Sequence, residues 1–129
     1  MEKLILHTGR LLIRNLNLSD LSNFHAYRSN PEVTRYQGFD VFSEKQAEDF
    51  IKEQAGKEFG KPGEWVQYGI ENKATGQLIG DCAIKLDGND TRLAEIGITI
   101  SPNEQKKGYA KETLFAILDF LFSRPDFHR

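Results

Sequence analysis

One cysteine, Cys82, is present in 129 residues, which excludes an internal disulfide and any cysteine-rich metal site. A lone thiol suits a reducing compartment, so a cytoplasmic location is expected. Long apolar runs are absent as well. The longest, Leu114 to Phe122, is interrupted by Asp119 and is too short to span a bilayer, and Met1 to His7 has no apolar core of the length a signal peptide needs. No excess of basic charge exists: 17 Lys and Arg against 19 Asp and Glu leave a formal net charge of −2, against a general nucleic-acid or membrane-surface binder. His7, His25 and His128 lack metal-ligand spacing, so no metal is expected. Repeats, linkers and low-complexity tracts are missing. So are the Walker Gly-x-x-x-x-Gly-Lys-Ser/Thr string and a Gly-x-Gly-x-x-Gly dinucleotide fingerprint after the first strand.

What is there fits one globular domain over residues 1–129, with 39% hydrophobic and 28% charged residues. Arg10 to Arg14 reads as a strand, and Ser19 and Asp20 supply N-cap chemistry for a helix to about Ser29. Asn30-Pro31 ends that helix, because the residue before proline is driven from the helical region. Ser43-Glu-Lys-Gln has capping-box spacing and opens a second helix carried by Ala47, Phe50, Ile51 and Gln54 to about Phe59. Three strands follow, Trp65 to Asn72, Leu78 to Leu86 and Arg92 to Ile100. Ala74-Thr75-Gly76 and Gly88-Asn89-Asp90 separate them as turns, which predicts an antiparallel meander. A last helix places Ala110, Leu114, Ile117, Leu118 and Leu121 on one face toward the sheet. The order is β-α-α-β-β-β-α, an α+β class.

The most telling segment is Gln105-Lys-Lys-Gly-Tyr-Ala110, set between the strand ending at Ile100 and the last helix. The first N–H groups of a helix have no partner within it and the macrodipole favours an anion there, while Gly108 removes a side chain where a pyrophosphate must approach the backbone. Gln105, Gly108 and Ala110 match Gln/Arg-x-x-Gly-x-Gly/Ala, and the segment resembles the acyl-CoA-binding signature of the GNAT acetyltransferases. The resemblance runs nearly end to end. Thr8-Gly9-Arg10-Leu11-Leu12-Ile13-Arg14 with Leu18-Ser19-Asp20, Gly69-Ile70-Glu71-Asn72 through Gly80, and Glu95-Ile-Gly-Ile-Thr-Ile-Ser-Pro102 are similar to the Rim-type branch, which includes ribosomal-protein N-terminal acetyltransferases.

That resemblance implies a GNAT-like antiparallel sheet flanked by helices, and transfer of an acetyl group from acetyl-CoA, as co-substrate, to a primary amine by direct attack. The amine is a protein N-terminus or a small molecule. Backbone N–H groups of Gln105, Lys106, Lys107, Gly108, Tyr109 and Ala110 would cradle the pyrophosphate. The strand edge at Ile98, Thr99 and Ile100 would carry the pantetheine arm, and the Ile98 amide would polarise the thioester carbonyl. Glu95 is the general-base candidate. An amine titrating near ~10 is beyond an ordinary carboxylate, so Glu95 would act through desolvation and a water chain. Its other reading is a strand residue ion-paired with Arg92 or Lys85.

Other residues carry two readings each. Lys106 and Lys107 either contact phosphate or are solvated loop lysines. Tyr36, Phe39 and Phe42 either shape the acceptor site, which that loop lines in the family, or plug the space beneath a long loop. Cys82 and Trp65 are expected in the core. The family's pattern continues past the last helix with further strands and a helix, so the chain reads as lacking the C-terminal part that closes the cofactor cleft. A different class of function follows from that reading: a non-catalytic CoA-binding or dimerisation module, with an open sheet edge pairing two chains in a homodimer.

Overall fold

The computed structural model describes residues 4–30, 43–89 and 93–123. They form a five-stranded, wholly antiparallel sheet in the order β1 (Leu6–His7), β2 (Leu11–Asn15), β3 (Val66–Asn72), β4 (Gln77–Leu86), β5 (Ala94–Ile100). Helices α1 (Leu21–Arg28) and α2 (Glu44–Ala55) cover one face and α3 (Tyr109–Phe122) the other. The α+β class and the meander are as the sequence predicts. The sequence reading omits β1, too short to carry a period, and α2 ends at Ala55, with Gly56 following, rather than near Phe59.

The strand alternation sorts side chains between two cores. Leu11, Ile13, Tyr68, Ile70, Cys82, Ile84 and Ile100 pack toward Tyr109, Ile117 and Leu121 of α3. Leu16, Phe24, Tyr27, Ala47, Ile51 and Leu78 form the second core beneath α1 and α2. A bulge in the β3–β4 ladder between Ile70 and Glu71 reverses the alternation along β4, so Ile79 joins the core of Cys82 and Ile84 while Leu78 enters the other. Next to it, Gly80 lets β5 come close: a Cβ there would lie 2.3 Å from the Thr99 carbonyl oxygen.

Capping chemistry sets the helices. Ser43 and Gln46 form the predicted capping box of α2. At α1 the cap differs from the expectation on Ser19 and Asp20. Asn17 caps a short 3-10 turn (Leu18–Asp20) and the Asp20 carboxylate returns to the Asn17 N–H, so the box begins two residues earlier. Asp20 also takes a two-pronged bond from Arg14 (2.8 and 2.9 Å), whose guanidinium reaches Glu71 as well. A second charged cluster joins α1 to the middle of the sheet. The fully buried Asp81 accepts from Arg28 through Nε and Nη2, from the Tyr27 hydroxyl and from Gln67. Four donors around one carboxylate satisfy a buried charge that would otherwise be costly.

Two packing expectations are corrected. The buried stripe of α3 is Tyr109, Thr113, Ile117 and Leu121; Ala110 is exposed, and Leu114 and Leu118 are only half-buried. Trp65 is 41% exposed, lying just before β3 on the face that carries Gln67. Tyr36, Phe39, Phe42, Arg92 and His128 lie outside the described residues.

Candidate active site

The site is built where β5 passes into α3. Ser101 N–H donates to the Ile79 carbonyl at the bulge (2.8 Å), and a 3-10 turn, Pro102–Glu104, swings the chain across the end of the sheet. The Gln105 amide Nε2 donates back to the Ile100 carbonyl (3.0 Å), so this signature glutamine braces the loop with its side chain. Lys106 (φ 67°) and Gly108 (φ 84°) both adopt the left-handed conformation, one of them without the freedom of glycine. Together they turn the backbone so that α3 opens at Tyr109, with its first internal bond from Glu112 N–H to the Gly108 carbonyl (3.0 Å).

No side chain caps this helix, in contrast to the full capping box on α2. The N–H groups of the first turn are therefore available to an anion. Lys106, Lys107 and Lys111 stand exposed around them. Lys107 pairs with Glu104 (3.0 Å), and that hydrogen bond and charge raise the affinity of its amine for a proton.

Arg10 and Glu112, absent from the sequence expectations for the site, fix the loop from the other side. Burial tends to raise the affinity of the Glu112 carboxylate for a proton. Hydrogen bonds from the Thr8 hydroxyl, Arg10 Nε (2.7 Å) and Arg10 N–H (3.1 Å) overcome that tendency and leave it below its ordinary range. Arg10 then lies with its guanidinium carbon 4.4 Å from the centroid of the Tyr109 ring, and a Cβ on Gly108 would come within 3.4 Å of Arg10 Nη2. The β1–β2 turn is thus clamped to the start of α3. Tyr109 contributes a buried ring to the clamp.

Along β5, Ile96 and Ile98 lean toward the α3 core and Ile100 is buried in it. Thr99 is nearly buried opposite Asp81 on the other face, and Glu95 and Gly97 share that face in the open. Among the described strands β5 is an edge, so alternate backbone groups of Ile98 to Ile100 point away from β4. Glu95 is 65% exposed and 3.4 Å from Lys85 Nζ, its cross-strand partner. The desolvation expected for it is not provided by any described neighbour. Lys85 Nζ also lies 5.5 Å from the Trp65 ring centroid.

The remaining expected residues separate from this site. Cys82 is wholly buried opposite Tyr68, and burial pushes its thiol well above the ordinary range, which makes it inert packing. His7 is exposed and His25 half-buried, and the described residues hold no cluster of three or more His, Cys, Asp or Glu suited to a metal. No helix among the described residues is long and apolar enough to cross a membrane.

An edge strand, a loop with two left-handed residues and an uncapped helix start suit an anionic ligand, and comparison with known proteins shows the family. Residues 10–129 match the model of the acetyltransferase (GNAT) domain. The chain is 31% identical over 125 residues to an uncharacterized N-acetyltransferase, p20, of Bacillus licheniformis, covering 96% of this chain and 69% of that one. With an uncharacterized N-acetyltransferase of Bacillus subtilis, YoaA, identity is 35% over 120 residues, covering 92% and 67%. Among solved structures, a GNAT-family acetyltransferase from Bacillus anthracis superposes with a TM-score of 0.82 at 27% identity, over 97% of this chain and 70% of that one. The chain belongs to the GNAT acetyltransferase family and is an acyltransferase by class.

Proposed function

We propose that the protein transfers the acetyl group of acetyl-CoA to a primary amine in a ternary complex, with no covalent enzyme intermediate. The observation that carries this reading is the uncapped start of α3 behind Gly108, ringed by three exposed lysines and braced by Arg10 and Glu112. The backbone N–H groups from Gln105 to Ala110 hold the pyrophosphate, with Lys106 and Lys107 beside them. The pantetheine arm runs along the edge of β5 at Ile98, Thr99 and Ile100, where strand-like hydrogen bonding is open to it. The Ile98 amide polarises the thioester carbonyl as negative charge develops on its oxygen. Binding both reactants in line supplies most of the rate advantage, since the reaction needs orientation more than a strong acid or base.

Glu95 takes the proton from the acceptor amine through water. Its exposure to solvent suits a relay of that kind better than direct contact. The acceptor is a protein N-terminus, in keeping with the Rim-type pattern of the strands, or a small amine on the same scaffold. Glu95→Gln is expected to lower turnover by about a hundredfold or more, the usual share of a general base, with acetyl-CoA affinity preserved. A thiol-release assay against a panel of amines reads this out, and unchanged turnover removes Glu95 from the mechanism. A chain that binds acetyl-CoA and turns over no amine would instead be a CoA-binding module.

A further inference from the structure

The contact between Lys85 and Glu95 has a chemical consequence if Glu95 is the base. Lys85 Nζ stands 3.4 Å from the Glu95 carboxylate and 5.5 Å from the centroid of the Trp65 ring, with its side chain 29% exposed. It is a primary amine of the acceptor's own kind, held where an acceptor must surrender its proton. An exposed pair of this sort is weak, so the ammonium is readily released from the carboxylate. The next row of the same sheet face holds Ala83 and Gly97, in register with each other. A Cβ on Gly97 would meet no atom of the described residues within 4 Å, so the row between Lys85 and the proposed thioester position beside Ile98 is open at Gly97 among those residues. That row is about 7 Å further along the strand, and the four-carbon stem of a lysine is flexible.

We propose that Lys85 is itself an acetyl acceptor and that the chain modifies this residue from its own bound acetyl-CoA. The proposal rests on the reading of Glu95 and of the cofactor loop given above. In the step, the Nζ lone pair attacks the thioester carbonyl carbon and a C–N bond forms. Glu95 and water first take one proton from the Nζ ammonium to free that lone pair; after attack the C–S bond breaks, CoA leaves as a thiolate, and the second Nζ proton passes through water to that thiolate. The product is a neutral amide, unable to pair with Glu95 or to sit as a cation over Trp65. Acetylation therefore frees Glu95 from its countercharge and opens the Trp65 face beside it to an external amine.

The test incubates the full chain with acetyl-CoA and no added amine, follows intact mass with time, and maps the modified peptide. Lys61, an exposed lysine on the β3 approach, serves as internal reference for uncatalysed acetylation. The expected result is the mass of one acetyl group on Lys85, ahead of Lys61. It disappears in Lys85→Arg and forms about a hundredfold more slowly in Glu95→Gln, thermal melts showing both variants folded. Equal modification of Lys85 and Lys61, unaffected by Glu95→Gln, would be ordinary chemical acetylation and would overturn the proposal. Turnover of an external amine with no adduct on Lys85 would also overturn it while leaving Glu95 as the base. Absence of acetyl-CoA binding by calorimetry would overturn both readings together.

Discussion

The clamp between Glu112 and the β1–β2 turn makes a stability prediction whose size and pH dependence both follow from its geometry. Glu112→Gln keeps the shape of the side chain and removes its charge. Three donors point at the carboxylate: the Thr8 hydroxyl, Arg10 Nε and Arg10 N–H. Hydrogen bonds to a charged group each contribute about 1.5–3 kcal/mol, but an amide oxygen keeps part of each. Arg10 is also 48% exposed, so solvent screens its share heavily. A helix N-terminus favours the negative charge by a further ~0.3–1 kcal/mol. A net loss of about 1–2 kcal/mol is expected, or roughly 3–10 °C in Tm for a domain of this size.

The sign with pH is fixed. The folded-state pKa of Glu112 is lowered, so its stabilisation is fully present above the ordinary glutamate pKa of about 4.3 and fades as pH falls through the folded value. Thermal melts of both proteins from neutral pH downward should show a gap that is constant to about pH 5 and then narrows in acid. A gap within about one degree at neutral pH would refute the clamp, and a gap that widened in acid would refute its charge as the cause.

Removing the buried acid under α1, Asp81→Ala, takes from Arg28, Tyr27 and Gln67 the carboxylate to which all three donate. It should cost about 3–5 kcal/mol, a large part of a domain's ~5–15 kcal/mol, seen as a lowered denaturant midpoint; a loss below about 1 kcal/mol would mean water relieves the charge. The Thr113 hydroxyl is fully buried and has no hydrogen-bond partner among the described residues. Thr113→Val should therefore be neutral or raise stability by about 1 kcal/mol in thermal melts, and a clear loss would reveal a partner for that oxygen.

The elements that carry a short-range signal were legible in the sequence. Alternation with tight turns gave β3, β4 and β5, Ser43 and Gln46 gave the start of α2, and Gly108 gave the opening of α3. The stripe of α3 was not. Eight of its last nine residues are apolar, so periodicity fits several faces, and the choice of Tyr109, Thr113, Ile117 and Leu121 is made by the sheet and the Arg10 contact. Arg10 and Glu112 lie 102 residues apart, and Arg28 and Asp81 are 53 apart; no local spacing announces either pair. Asp81 did leave a trace, as the one charged residue in the otherwise apolar run from Leu78 to Ile84, a pattern that marks a paired buried charge. For Glu95, the two readings coincide in position: the same carboxylate is the base candidate and the ion-pair partner of Lys85.

The central claim is that the loop from Gln105 to Ala110 holds the cofactor's pyrophosphate on backbone N–H groups. Calorimetric titration of acetyl-CoA into the intact chain and into Gly108→Val tests it most directly. A left-handed residue costs a branched side chain upwards of ~1–2 kcal/mol, and the new atoms intrude toward Arg10 and the phosphate position. The account predicts one site in the parent chain and at least about tenfold weaker binding in the variant, with the fold retained by circular dichroism. Equal affinity in the two proteins, or no heat from millimolar cofactor in the parent, would contradict it.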